Sequence, residues 1–311
     1  MDFDELDVDT VWTNGEFVDW DEATIHALSQ VATAGMGVFE GTRSYPTDDG
    51  HAIFRLDAHL DRLEDSAKLL GMEMERDRAE LEKATRQLAR RNGLADLDGS
   101  FYYRHSASLG YGGIGADAEP PVNQMIVAFP FGRFLGEDAM ATGADLMTAS
   151  QRRVHSSQFP TQAKANGIYI TSMLAKRKAH EDGYDTALLL DRDGNVAEAA
   201  AANVFVVRDG TLYTPGLDSS VLPGITRDAL LQVARDRGYE AVEKTVTTGE
   251  LLTADEAFLC GTGAEVTSVN RVDDTVIGDG GRGPITEEIQ EAYFDIVHGE
   301  CPEYEDWLTY L

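Results

Sequence analysis

Apolar and polar positions alternate in short bursts near the start of the chain. TVWT, residues 10–13, and EFVDW, residues 16–20, flank Asn14-Gly15, a dipeptide that supplies both left-handed positions of a type I′ turn. An antiparallel hairpin is expected there. After a strand at Ala52–Phe54 the period changes to that of a helix. Leu56, Leu60, Leu63, Ala67 and Leu70 fall on one stripe, and Gly71 stops it. Leu81, Ala84 and Leu88 predict a second helix from Arg78 to Arg91, ended at Gly93. Strands are expected at Phe101–Ala107 and Met125–Pro130. The stretch 131–138, FGRFLGED, has no period, and residues 133–139 are the expected linker between domains 1–132 and 140–311.

The second half mixes the two periods. It predicts a strand at Asp145–Ala149, a helix from Ile168 to Glu181, and a strand at Thr186–Leu190 that turns at Asp193-Gly194. A hairpin, NVFVVRDGTLYT, turns at Asp209-Gly210. A helix from Arg227 to Arg237 is expected to be capped by Thr226 and stopped by Gly238. A last helix starts near Pro284 and carries Ile285, Ile289, Tyr293 and Ile296. Hairpins mixed with helices that do not strictly alternate with strands argue for an α+β fold over a doubly wound parallel sheet.

Composition narrows the class. The 311 residues suffice for two domains, and 26 Lys and Arg against 55 Asp and Glu leave a formal charge of −29. So negative a chain repels phosphate, which argues against nucleic acid or an anionic membrane as partner. Its six lysines are Lys68, Lys83, Lys164, Lys176, Lys178 and Lys244. A carboxylate-rich, lysine-poor surface suits concentrated salt, where the Debye length is short, and a halophilic host is expected. Cys260 and Cys301 are too few for a disulfide framework. The opening MDFDELDVDT has neither the basic nor the apolar stretch of a signal peptide, and no run is long enough to span a membrane. A cytoplasmic location is expected.

Several motifs carry no chemistry. GYGGIG, Gly110–Gly115, matches the dinucleotide fingerprint literally, but Pro120-Pro121 follows where a helix should receive the pyrophosphate, so a loop is the expected reading. The seven histidines show no metal-ligand spacing, so no metal is expected, and no G-x-S-x-G elbow is present. LPGITR, Leu222–Arg227, leads through Pro223-Gly224 into a helix, an arrangement that suits either a phosphate dianion or a plain helix start. CGTGAE, Cys260–Glu265, offers a second glycine-flanked hydroxyl. Lys164 lies between Ala163 and Ala165, where by itself it reads as a surface lysine or as a desolvated amine suited to Schiff-base chemistry. Glu198 sits at the edge of a small-residue run that by itself reads as a loop.

Taken in order, NGEFVDWDEATIHALS, GVFEGTRSY, HLDRLEDSAKLL, PTQAKANGIYITSMLA, LLLDRDGNVAE, SSVLPGITRDALL and CGTGAEVTSV resemble the fold-type IV pyridoxal-phosphate transaminases, specifically the branched-chain amino acid aminotransferases. The resemblance implies a smaller N-terminal α/β sandwich-like domain and a larger C-terminal domain with a barrel-like sheet. It implies pyridoxal 5'-phosphate as cofactor and transfer of the amino group of L-leucine, L-isoleucine or L-valine to 2-oxoglutarate. A D-amino acid transaminase or an aminodeoxychorismate lyase on the same scaffold is the alternative. A homodimer is implied, with the Gly110–Gly115 loop of one subunit reaching the other's pocket.

By the same resemblance Lys164 is the catalytic lysine that binds the cofactor, Tyr169 partners its phenolic oxygen, and Glu198 faces its ring nitrogen. Arg62, Gly224, Ile225, Thr226 and Thr262 would hold the phosphate, with Leu222 against the ring. Phe39, Gly41, Arg43, Tyr102 and Arg104 would form the substrate pocket, and the amides of Thr262 and Gly263 would receive the α-carboxylate. Arg104 is the residue that would meet the second carboxylate of glutamate. The chain departs from the family pattern at Ala34 and Phe134, where tyrosines are expected, at His105 in place of proline, and at Ala199 and Ala202 in place of glycine and glutamate.

Overall fold

The structure is a computed structural model, described for residues 8–94, 99–113, 115, 117–132 and 142–311. The chain forms two compact units. The first comprises residues 1–132, 163–167 and 296–311, and the second residues 133–162 and 168–295. The expected division kept residues 140–311 together. The chain instead returns twice to the first unit, because residues 163–167 and a late strand both pair with its sheet. The expected linker 133–139 lies outside the described residues.

Among the described residues, the first unit is built on a seven-stranded sheet. Its strands are β1 (Thr10–Thr13), β2 (Glu16–Asp19), β3 (Gly37–Thr47), β4 (Gly50–Phe54), β5 (Phe101–Leu109), β6 (Val122–Pro130) and β16 (Leu308–Tyr310), in the order β16-β4-β3-β5-β6-β1-β2. The β1–β2 hairpin forms as expected, with Asn14 and Gly15 at φ 51° and 98°. Helices Leu56–Leu69 and Arg78–Arg91 cover one face. Asp77 and Glu80 close a capping box on the second, which spans the expected residues. Strand β5 alternates strictly: Phe101, Tyr103, His105 and Ala107 are buried toward the helices, while Tyr102, Arg104 and Ser106 lie on the other face.

The second unit is a larger sheet, completed by β7 (Ala144–Arg152), β8 (Thr186–Leu190), β9 (Val196–Ala199), β10 (Asn203–Arg208), β11 (Thr211–Pro215), β12 (Ala241–Lys244), β13 (Glu256–Gly261), β14 (Glu265–Val272) and β15 (Thr275–Val276). The order is β12-β11-β10-β13-β14-β7-β8-β9, with β15 beside β14. Pairings β14–β7, β7–β8 and β11–β12 are parallel and the rest antiparallel. The sheet curls until β9 approaches β10 and Val196 bridges Val246. That curl encloses a core of Leu146, Leu188, Val204, Val206, Leu259 and Val269. On β8's other side Ala175 and Ala179 of helix Tyr169–Glu181 pack against Ala187 and Leu189. The first unit combines helices with an antiparallel sheet and the second combines them with a mixed sheet, so the fold is α+β.

One expected boundary moves. The helix after the LPGITR turn runs Ile225–Asp236 with Gly224 as its N-cap, so Thr226 lies inside the first turn and no side chain caps it. A Cβ at Gly224 would fall 1.9 Å from Asn203 Oδ1, so a tertiary contact, not a cap hydroxyl, decides where this helix begins.

Candidate active site

Within the first unit the expected substrate residues share one face of the sheet. Directly opposed residues of an antiparallel pair point the same way, and Phe39 opposes Ser106, Gly41 opposes Arg104 and Arg43 opposes Tyr102. The Arg104 guanidinium lies 3.6 Å from the centre of the Phe39 ring, and Lys164 Nζ lies 5.2 Å from it. Tyr102 packs at a tilt against Phe129 and Phe131 and lays its hydroxyl over Gly41, where a Cβ would be 1.7 Å away. Only glycine permits that approach. Arg43 is nearly buried, with Nε and Nη2 donating to Ser100 Oγ at 2.9 and 2.6 Å and its guanidinium over the Tyr45 and Phe131 rings. It braces the aromatic wall.

Lys164 is held by its backbone. Where β4 leaves the edge of β3, residues 163–167 take its place: Ala165 bridges Val38, Phe39 N–H donates to the Lys164 carbonyl at 3.0 Å, and Lys164 N–H donates to Ser66 Oγ at 3.0 Å. Ser66 lies on helix Leu56–Leu69 with His59 and Arg62, a polar stripe at helical spacing that turns toward β3.

Beneath the substrate face, Glu40 is fully buried and accepts from Arg62 Nε at 2.6 Å, Arg62 Nη2 at 2.8 Å and His59 Nδ1 at 2.7 Å. Burial alone would raise the Glu40 carboxyl. The Arg62 charge and the hydrogen bonds from His59 and Arg62 outweigh it and hold the group well below the usual carboxylate range. Burial pushes His59 down, against its bond to Glu40, so His59 stays neutral and donates. His105, where the family pattern has proline, is buried beside this cluster. Its Nε2 donates to Thr85 Oγ1 at 2.9 Å, which donates in turn to the Leu81 carbonyl.

The second unit carries Glu198, Leu222, Gly224, Ile225, Thr226, Thr262, Gly263 and Tyr169, of which hydrogen bonds join Glu198 and Leu222. Glu198 lies on β9, in a strand and not the loop its surroundings suggested, with Arg153 Nε on Oε1 at 3.0 Å, and Asn203 Nδ2 and Leu222 N–H on Oε2 at 3.2 and 3.0 Å. Asn203 also donates to the Leu222 carbonyl and Arg153 to that of Ser220. The carboxylate is thereby tied to the segment that leads into helix Ile225–Asp236. Ile225 and Thr226 are buried in its first turn, whose N–H groups lack a capping side chain. Thr262 and Gly263 form the half-buried turn between β13 and β14, and Tyr169 opens helix Tyr169–Glu181. Ala34 ends the short helix Gln30–Ala34 and is exposed; Phe134 lies outside the described residues.

Sequence reading overlooked Glu40, His59, Ser66, Arg153 and Asn203. The one legible signal was Glu40, a carboxylate in a strand whose neighbours are all buried.

The amino-transferase class IV family model matches residues 37–272. The branched-chain-amino-acid aminotransferase of Pseudomonas aeruginosa is 44% identical over 300 residues, covering 96% of each chain. The crystal structure of the Escherichia coli branched-chain amino acid aminotransferase superposes with a TM-score of 0.93 at 39% identity, over 97% of this chain and 98% of that one. The T.th. branched-chain amino acid aminotransferase, solved with N-(5'-phosphopyridoxyl)-L-glutamate, gives 0.91 at 42% identity over the same shares. A match over most of the chain by family, sequence and fold together means that the chain belongs to the class IV aminotransferases, with the branched-chain-amino-acid aminotransferases as its relatives.

Proposed function

We propose that the protein is a pyridoxal-phosphate-dependent transaminase that moves the amino group of L-leucine, L-isoleucine or L-valine to 2-oxoglutarate in two half-reactions of branched-chain amino acid metabolism. The observation that carries the reading is the near-complete match to relatives of that name, one of them solved with a phosphopyridoxyl-glutamate adduct. The D-amino acid transaminase and lyase alternatives have no comparable support.

The residues present fit the cofactor. Glu198 has an acceptor position to spare, the uncapped helix start suits a dianion, and the Lys164 amine sits on a peptide fixed from both sides. Bound pyridoxal phosphate supplies a carbonyl to carry the amino group and a ring to accept the electrons left when the Cα–H bond breaks. Lys164 Nζ would anchor it, and the same amine would serve as the base that moves the proton at Cα. Tyr169 Oη would meet the phenolic oxygen, and Glu198 would receive the ring N–H. Arg62, Gly224, Ile225, Thr226 and Thr262 would bind the phosphate, and Leu222 would pack on the ring. Phe39, Gly41, Tyr102 and Arg104 line the aliphatic side, with Arg43 bracing them. The Thr262 and Gly263 amides take the α-carboxylate.

The same reading includes a homodimer. Ile170, Met173 and Leu174, on one face of helix Tyr169–Glu181, are 61%, 63% and 51% exposed, and Ile25, Leu28 and Tyr111 are exposed in the first unit. Apolar side chains so placed suit a second copy as cover. A salt-loaded cytoplasm is the proposed setting, in keeping with the −29 charge and with two cysteines that are free thiols. Among the described residues no helix is long and apolar enough to cross a membrane.

The test is the visible spectrum of protein purified in concentrated potassium chloride. L-isoleucine bleaches a yellow protein and 2-oxoglutarate restores it. Bleaching by D-alanine alone overturns the substrate assignment, and a colourless protein that takes up no pyridoxal phosphate overturns the whole. Lys164→Ala abolishes both the covalent absorbance and turnover.

A further inference from the structure

Glu198 is buried with its hydrogen-bond partners accounted for among the described residues. Each carboxylate oxygen has two lone-pair positions. Oε2 uses both, on Asn203 Nδ2 and Leu222 N–H, while Oε1 pairs as an ion with Arg153 Nε, 3.0 Å away, whose single N–H donates to the Ser220 carbonyl. The acceptor positions left open are on Oε1, beside a guanidinium whose side chain is 3% exposed.

We infer that Oε1 of Glu198 is the atom that receives the ring N–H of the cofactor, and that Arg153 is the positioning residue that keeps that proton on the ring. The inference rests on the cofactor reading above and adds to it a residue that reading leaves without a role. A proton between a ring nitrogen and a buried carboxylate goes to the stronger base. Beside a cation 3.0 Å away, with little water to screen it, the negative charge of Glu198 has a buried counter-ion and gains nothing by taking up the ring's proton. The proton then stays on nitrogen, and the ring keeps its power to draw electrons from Cα. Without Arg153 the carboxylate is a buried charge lacking a counter-ion, and taking the proton from the ring relieves it.

The rest of the network fixes which oxygen is presented. Asn203 spans Glu198 Oε2 and the Leu222 carbonyl, and Arg153 spans Oε1 and the carbonyl of Ser220, a residue in the left-handed region at φ 63°. Rotating the carboxylate breaks both Oε2 hydrogen bonds and the Oε1 ion pair. Asn203 and Arg153 therefore select one oxygen of Glu198, and Arg153 alone supplies charge.

The test is the nitrogen NMR shift of 15N-labelled pyridoxal phosphate bound to the wild type and to Arg153→Met, Arg153→Lys and Glu198→Gln, with the cofactor dissociation constant measured alongside. The wild type and Arg153→Lys show a protonated ring nitrogen. Arg153→Met shows an unprotonated one while binding cofactor within about tenfold of the wild type, and its half-reaction with L-isoleucine slows about 100-fold. If Arg153→Met does not fold, Arg153→Gln, which keeps an N–H donor and removes the charge, carries the same expectation. A wild-type nitrogen that is protonated, loses its proton in Glu198→Gln and keeps it in the charge-removing Arg153 variant overturns the role of Arg153 alone. An unprotonated wild-type nitrogen overturns the cofactor reading and this inference with it.

Discussion

Gly41 and Tyr102 show how one missing side chain shapes the face that carries Arg104. The tyrosine hydroxyl occupies the space of a Cβ at residue 41, so Gly41→Ala forces the phenol off the strand. Overpacking of this kind costs about 1–3 kcal/mol, which urea unfolding reads, and the KM for L-isoleucine should rise more than kcat falls. His105 makes a different prediction. Burial pushes it down to about 3 from an ordinary 6.5. Above pH 6.5 folded and unfolded chains both hold it neutral, and it has no effect on stability. Below that the unfolded chain binds a proton that the folded chain refuses, so stability falls by up to about 1.4 kcal/mol per pH unit as pH drops toward 5. His59, also depressed, acts in the same direction. His105→Leu should flatten the pH dependence of the thermal midpoint between pH 6.5 and 5, and an unchanged slope would contradict the burial argument.

At the level of elements, β9, the Ser220–Gly224 segment and helix Ile225–Asp236 act as one assembly through Asn203. Gly224→Ala places a methyl against Asn203 Oδ1 and displaces the amide that bridges Glu198 and Leu222. Loss of one charge-assisted hydrogen bond, about 1.5–3 kcal/mol, weakens pyridoxal phosphate binding by about 10- to 100-fold, measured by absorbance titration. This helix also marks where pattern reading stops. Hairpin β1–β2 and helix Arg78–Arg91 were legible because their turn residues and stripes are local. The start of helix Ile225–Asp236 was not, since it is decided by an asparagine on another strand, and a threonine in the first turn passed for its cap. Strand β3 has no period of two, because Glu40 and Arg43 are buried along with Val38 and Phe39. Lys164 and Glu198 stood out as charges among alanines. Arg153 and Asn203, which orient Glu198, carry no mark in their own neighbourhoods and become visible only when β7, β9 and β10 come together.

The whole molecule is dominated by its charge. At −29 the folded chain repels itself, and the Debye length shrinks from about 10 Å in 0.1 M salt to about 3 Å at 1 M. Raising potassium chloride across that range should raise the thermal midpoint by several degrees. Indifference to salt would end the halophilic reading. Connectivity sets a second condition on the molecule. Leu308–Tyr310 pair with Ala52–Phe54, Arg55 N–H donates to the Trp307 carbonyl, and the Arg55 guanidinium covers the Trp307 ring. During translation β4 therefore emerges long before the partner for its outer edge. At ribosomal speed the nascent strand waits on the order of tens of seconds with an open row of N–H and C=O groups. In that interval the growing chain depends on its carboxylates to keep neighbouring polypeptides apart.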